Sequence, residues 1–195
     1  MGMELAAYVP RLAGRLLAAG PPGTAHVLDG TLAFYDVSGF TRLSERLARA
    51  GRIGAELTKA AINAVFEPAI GALLDAGGDV LKFGGDALLV WFDGPGHAEQ
   101  AAVASAGLQR LIATVGRVES ASGPVRLRMS AGLESGPVTF VLAPRPHHDL
   151  LVAGTTVDAT LRLEAAAAAG QVLVGPSASG QLRPAWTAGE RLRVG

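Results

Sequence analysis

GGDVLKFGGDALLVWF, residues 77–92, carries the fold reading. Two β-prone apolar runs, Asp79 to Phe83 and Ala87 to Phe92, flank Gly84-Gly85-Asp86, which predicts a β-hairpin with a glycine-bearing tip. Upstream, Thr31 to Tyr35 is another short apolar run, read as a buried strand ending at Asp36 and followed by a Ser38-Gly39 turn. A helix is expected from Thr41 to Ala50. A longer one follows from Gly51 to Leu74, with Leu57, Ala61, Val65, Ile70 and Leu73 on its buried side and Gly77-Gly78 stopping it. Downstream, His97 to Thr114 reads as a helix, and Val125 to Ala131 and Val138 to Leu142 as two strands. A polar turn at Arg145 to Asp149 comes next, then a helix from Thr155 to Ala168 closed by Gly170, and a strand from Gln171 to Val174. The order β-α-α-β-β-α-β-β-α-β predicts an α+β fold, a mostly antiparallel sheet with helices packed on one face.

The chain has 195 residues, nearly half of them apolar, enough for one core. Residues 24–195 are expected to form that domain. Residues 1–23 read as an N-terminal appendage, an amphipathic helix with Leu5, Val9, Leu12 and Leu16 on one face, ended by Gly20-Pro21-Pro22-Gly23. Glu4, Arg11 and Arg15 interrupt its apolar run, so neither an export signal nor a membrane span is expected. The helix packs on its own domain or serves as a handle for a neighbour. Zero net charge argues against nucleic acid as a partner, and the absence of cysteine removes disulfides and thiolate chemistry. Cytoplasmic placement is the expectation. Arg191 to Gly195 looks like an unfinished strand, as in a piece of a longer protein.

The two aspartates carry the chemistry. FYDVSGFTRLS, residues 34–44, places Asp36 where a strand gives way to a helix. The amides of Ser38, Gly39, Phe40 and Thr41 then face a phosphate at the helix N-terminus, and Gly39 permits close approach. Asp86 sits at the hairpin tip. If the strands are neighbours, both carboxylates leave one edge, the donor set that magnesium takes together with substrate phosphates. Two such ions would clamp a displacement at phosphorus. Taken singly, Asp36 also reads as a helix cap and Asp86 as a turn residue.

Together the two segments resemble the metal-binding signatures of class III adenylyl and guanylyl cyclases. LLVAGTTVDATLRLEAAAAAGQVLV, residues 150–174, is similar to the family's later substrate-binding segment. The resemblance spans roughly Thr31 to Val174, and is strongest to the first catalytic domain of mammalian soluble adenylyl cyclase. It implies a ferredoxin-like βαββαβ-type fold and cyclisation of ATP, with attack of the 3′-hydroxyl on the α-phosphate. It also implies head-to-tail pairing with a second cyclase-like domain or a second copy. By the resemblance Asp36, Asp86 and the carbonyl of Val37 hold two Mg2+ or Mn2+ ions.

The resemblance also exposes departures. Lys82 matches the base-recognising lysine, but Leu151 stands where its aspartate or threonine partner belongs. Leucine cannot hydrogen-bond an adenine amino group. Asp158 replaces the transition-state asparagine, while Arg162 matches the transition-state arginine. The metal half therefore reads as intact and the base half as spoiled, so a complementary partner domain is expected. By the same resemblance Lys82, the backbone near Val152, and Arg162 fall where related enzymes take bicarbonate, so a small anion is a candidate partner. A silent pseudo-cyclase that pairs and binds nucleotide is the alternative. The tip is also similar to the start of the diguanylate cyclase signature, but Ala87 stands where that motif has glutamate. His147 and His148 read as solvated loop residues.

Overall fold

The structure is a computed structural model and describes residues 9–40, 43, 45–46, 52–118, 123–144 and 149–186. Helix α1 covers Arg11–Ala19, strand β1 Ala25–Ser38 and helix α2 Arg52–Asp75. The hairpin is β2, Asp79–Gly84, with β3, Ala87–Phe92, and helix α3 is His97–Val115. Short strands β4, Arg117–Val118, and β5, Val125–Arg126, precede the long β6, Arg128–Leu142, and β7, Leu150–Ala153. Helix α4, Thr155–Ala166, strand β8, Val172–Val174, and helix α5, Pro176–Ser179, follow. The main sheet runs β2-β3-β1-β6-β7, with β8 parallel to β6 and every other pairing antiparallel. The α+β expectation holds, and so does the hairpin.

Strand β1 sits at the centre because its apolar run is continuous. Ala33, Tyr35 and Val37 enter one core cluster, and Leu32 and Phe34 pack into a second on the opposite face. A strand buried on both faces needs cover on both. Helices α2 and α3 supply it on the first face through Val65, Phe66, Leu73, Leu108 and Ile112. On the second, α1 brings Leu12 and Leu16, and α4 brings Val157. The expectation of helices on one face is thus corrected: the sheet has helices on both. Its terminal strands also approach each other. Lys82 on β2 reaches Asp149, just before β7, at 3.2 Å, so the sheet curls around the second cluster.

Two further expectations change. The separate strands at 125–131 and 138–142 are largely one, because Glu134 to Pro137 continue the ladder against Leu32 to Asp29 instead of turning. Glu134 is buried, and its carboxylate accepts the amides of Ser135 and Ala178, which removes the reason for a polar turn to face water. The N-terminal helix begins only at Arg11, and Val9 stays exposed ahead of Pro10. Leu5, Thr41, His147, His148 and the expected terminal strand lie outside the described residues. Of the helix expected from Thr41, Leu43, Glu45 and Arg46 are helical.

Helix α1 is held by a carboxylate far away in sequence. Asp79 at the root of the hairpin accepts the amides of Arg11 and Leu12 at 2.9 and 2.7 Å, two of the helix's orphan donors. Arg11 also donates to the carbonyls of Gly77 and Gly78, and Arg15 pairs with Asp93 at the hairpin's other root. Asp79→Ala should lower unfolding stability by about 1–2 kcal/mol, a lost helix cap with buried amides left unpaired. Urea denaturation of the variant checks this; an unchanged midpoint would show that α1 is held by its apolar face alone.

Candidate active site

The site is built where β1 ends. Asp36 is the ladder partner of Ala87, the first residue of β3, and Val37 donates its amide to the Asp86 carbonyl at 3.0 Å. The two aspartates therefore sit side by side at one end of neighbouring strands, as the hairpin reading requires. Both are partly buried. Burial is the main cause that holds the Asp36 carboxyl above the usual carboxylate range, and the charges of Asp86 and then Glu164 raise it further. Glu164, on α4, accepts the hydroxyl of Ser130 at 2.9 Å, and Ser130 is the β6 partner of Asp36. Sequence reasoning missed Glu164. Its only sequence signal was its place two residues after Arg162 on the helix.

Past Asp36 the chain turns at Gly39, whose φ of 94° is the left-handed region that favours glycine. A Cβ there would lie 3.2 Å from the Arg126 carbonyl. Ser38 donates its hydroxyl to the carbonyl of its ladder partner Arg128, and Phe40 begins the helical backbone. Gly39 also lines a cavity of about 270 Å³ with Arg46, Pro124, Val125, Arg126 and Arg128.

Among the described residues no trio of histidine and acidic side chains forms a metal cage. Two neighbouring carboxylates that repel each other still fit magnesium or manganese, which complete their shells with substrate oxygens and water. Asp36, Asp86 and the Val37 carbonyl are the residues that would hold such ions.

The remaining expected residues lie elsewhere. Helix α4 packs close on β6 because Gly132 leaves room: a Cβ there would collide with the backbone of Thr160 and Glu164. That contact turns Thr156 and Thr160 inward and leaves Asp158, Leu161 and Arg162 exposed. Asp158 and Arg162 thus share the helix's outer side and are not brought to the aspartates within one chain. Lys82 and Leu151 are also exposed, and Val152 is partly buried. The ion pair with Asp149 brings Lys82 to the start of β7, close in sequence to Leu151 and Val152. Among the described residues no helix is long and apolar enough to cross a membrane.

Comparison with known proteins places the chain among relatives of one fold. The family described as the adenylate and guanylate cyclase catalytic domain matches residues 26–193. Adenylate cyclase type 10 of Oryctolagus cuniculus is 29% identical over 163 residues, covering 76% of this chain and 10% of that protein. The chain thus spans about a tenth of the length of the curated relatives it matches. Among solved structures, the guanylate cyclase domain of RhGC from Catenaria anguillulae in complex with GTP superposes with a TM-score of 0.68. That match is 22% identical and covers 86% of this chain and 87% of that one. The adenylyl cyclase CyaB from P. aeruginosa also gives 0.68, at 23% identity over 81% and 82% of the two chains. At this identity the superpositions show a shared fold.

The raised Asp36 has a stability consequence. Its charged form is disfavoured in the folded, metal-free protein, so the contribution of Asp36 to stability is fully present below the ordinary carboxylate range and is lost as pH rises through the raised value. Urea unfolding in chelator from pH 4 to 7 should show this fall, and Asp36→Asn should flatten it. A variant whose pH profile parallels the wild type would contradict the assignment.

Proposed function

The chain belongs to the adenylate and guanylate cyclase catalytic-domain family, and we propose that it converts ATP to cyclic AMP and pyrophosphate, supplying the metal-binding half of a composite site. As a class III cyclase domain it is a lyase. The observation that carries the finer reading is the adjacency of Asp36 and Asp86 across β1 and β3, at a turn whose glycine and amides suit phosphate.

In this reading Asp36, Asp86 and the Val37 carbonyl hold two divalent ions, which supply charge neutralisation at the phosphates. The chain's own residues do the rest. The amides at Ser38, Gly39 and Phe40, with Thr41 following, orient the polyphosphate tail. The substrate's 3′-hydroxyl loses its proton to water as its oxygen bonds to the α-phosphorus, the bond from that phosphorus to the bridging oxygen breaks, and pyrophosphate leaves with that electron pair. Arg162 and Asp158 face outward, so they serve a site completed by a second cyclase-like domain or a second copy. The arginine would meet charge developing in the transition state. The carboxylate of Asp158 cannot donate as an amide would, which favours a dissimilar partner over a symmetric pair.

ATP as the base choice is supported by the adenylate cyclase relatives and by Lys82. Leu151 removes the usual acceptor, but Asp149 stands 3.2 Å from the Lys82 ammonium. An ion pair this exposed contributes little to folding. It offers one donor and one acceptor, matching the ring nitrogen and amino group of adenine and opposing the reversed polarity of guanine. The same pair weakens the bicarbonate reading, because an anion beside Lys82 and Arg162 would compete with Asp149. Cytoplasmic placement belongs to this proposal, resting on the nucleotide substrate.

Cyclic AMP production by the full-length protein with Mg2+ or Mn2+ tests the reading. Asp36→Ala and Asp86→Ala should each lower kcat by a factor of about a hundred or more while folding is kept; activity indifferent to both would sink it. Asp149→Leu should raise the KM for ATP by roughly tenfold and narrow the preference over GTP, with kcat changed less. An unchanged ATP-to-GTP ratio would remove Asp149 from base recognition.

A further inference from the structure

Each aspartate of the pair stands next to a glycine break. Asp36 is followed by the Gly39 turn, and Asp86 is preceded by Gly84-Gly85, with Gly85 at φ 66°. A Cβ at Gly84 or Gly85 would meet nothing within 4 Å, so the tip gains no packing at these two residues. Lys82, Phe83 and Gly84 are exposed, and β2 is an edge of the sheet. On the strand side the aspartates are tied through backbone. Asp36 is the ladder partner of Ala87, and Val37 donates its amide to the Asp86 carbonyl. That tie alone leaves turn and tip free to hinge about their glycines.

Three aromatic rings close the other side. Phe66 of α2, buried at 3% exposure, meets Phe83 with ring centroids 5.0 Å apart and planes at 72°. It also meets Phe40, at 6.3 Å and 78°. Both pairs are edge-to-face and lie in the range where rings attract beyond the burial of their area. Phe40 is the first helical residue after the Gly39 turn, and Phe83 immediately precedes the glycine tip. One ring on a helix thus touches the segment that follows Asp36 and the segment that precedes Asp86. Phe83 stays half exposed, so this contact contributes placement more than burial. Its ladder partner Leu88 belongs to the first core cluster, whereas Leu89, the partner of Lys82, belongs to the second. Seating Phe83 on α2 therefore turns Lys82 to the opposite face, toward Asp149.

We propose that Phe66 is a positioning residue for the candidate active site: with Phe40 and Phe83 it forms an aromatic brace that holds the Gly39 turn and the hairpin tip in one relative placement. The inference rests on the nucleotidyl cyclase reading for its effect on turnover, but not for the brace itself. The rings act through the backbone that carries them. The Phe40 amide and the Asp86 carboxylate are set before substrate arrives, and a small misplacement of either costs rate although no reacting group is lost.

The test uses the full-length protein and variants that replace a ring by a branched apolar chain. Amide hydrogen exchange at Val37, whose partner is the Asp86 carbonyl, reads opening of the frame without metal or turnover. Phe66→Leu and Phe83→Leu should each speed that exchange by about fivefold, and Phe83→Tyr, which keeps the ring, should restore the slow rate. Because Phe83 is half exposed, Phe83→Leu should keep the urea midpoint even where Phe66→Leu lowers it. In turnover each leucine change should lower kcat/KM for ATP by about fivefold. The two combined should cost no more than Phe66→Leu alone, since one missing ring already opens the brace. Val37 exchange unchanged in both leucine variants, or speeded as much by Phe83→Tyr, overturns the brace. So does a double variant whose loss is the product of the two single losses, or an active enzyme whose kcat/KM neither change lowers. Ring-dependent exchange in a protein that makes no cyclic nucleotide leaves the brace standing and defeats the cyclase reading instead.

Discussion

Everything at the site depends on β1 being hydrogen-bonded along both edges and buried on both faces. The strand pairs with β3 on one side and with the whole of β6 on the other. Its last residues therefore have little freedom, and Asp36 is carried to a fixed place beside Asp86, opposite Ser130 and near Glu164. Burial first, and then the like charges of Asp86 and Glu164, disfavour the ionised Asp36 in the folded, metal-free state. Core contacts along β1, with Leu32, Ala33, Tyr35 and Val37 all buried, hold the arrangement against that repulsion. A cation bound there would offset the penalty, and metal affinity and fold stability would then be linked through one strand.

The same sheet sorts the remaining polar groups into distinct districts. Anionic groups gather where β1 and the hairpin end, and Arg46, Arg126 and Arg128 line the concavity beside the Gly39 turn. Lys82 and Asp149 lie apart, where β2 and β7 approach through the curl of the sheet. Asp158 and Arg162 ride on the outer side of α4, whose seat is fixed by Gly132. One domain thus presents the two aspartates and the Lys82–Asp149 pair at separate places. The proposed division of labour between two domains follows from that separation.

The sequence made the hairpin legible because Gly84-Gly85-Asp86 interrupts two β-prone runs, and it made the aspartate pair legible because Asp36 closes the Thr31 to Tyr35 run while Asp86 sits at the hairpin tip. It did not show that helices cover both faces, although the continuous apolar run of β1 was the available sign. Glu134 to Pro137 read as a break because buried glutamate is rare; its acceptance of the Ser135 and Ala178 amides appears only once β6 and α5 are folded together. The clamp of Asp79 on α1, the pairing of Lys82 with Asp149 and the approach of Glu164 to Asp36 join residues far apart in the chain. No local spacing rule reaches them. Leu151 reads as lacking an acceptor, and the neighbouring acceptor two residues earlier meets Lys82 only through the curl.

The central claim is that Asp36 and Asp86 form one divalent-cation site completed by substrate phosphates. Paramagnetic resonance of Mn2+ titrated onto the full-length protein with a non-cyclisable ATP analogue addresses it directly. The account predicts that the analogue creates Mn2+ sites on the wild-type protein and that Asp36→Asn and Asp86→Asn each lose them. Equal Mn2+ binding by wild type and both variants, with folding intact, would contradict it.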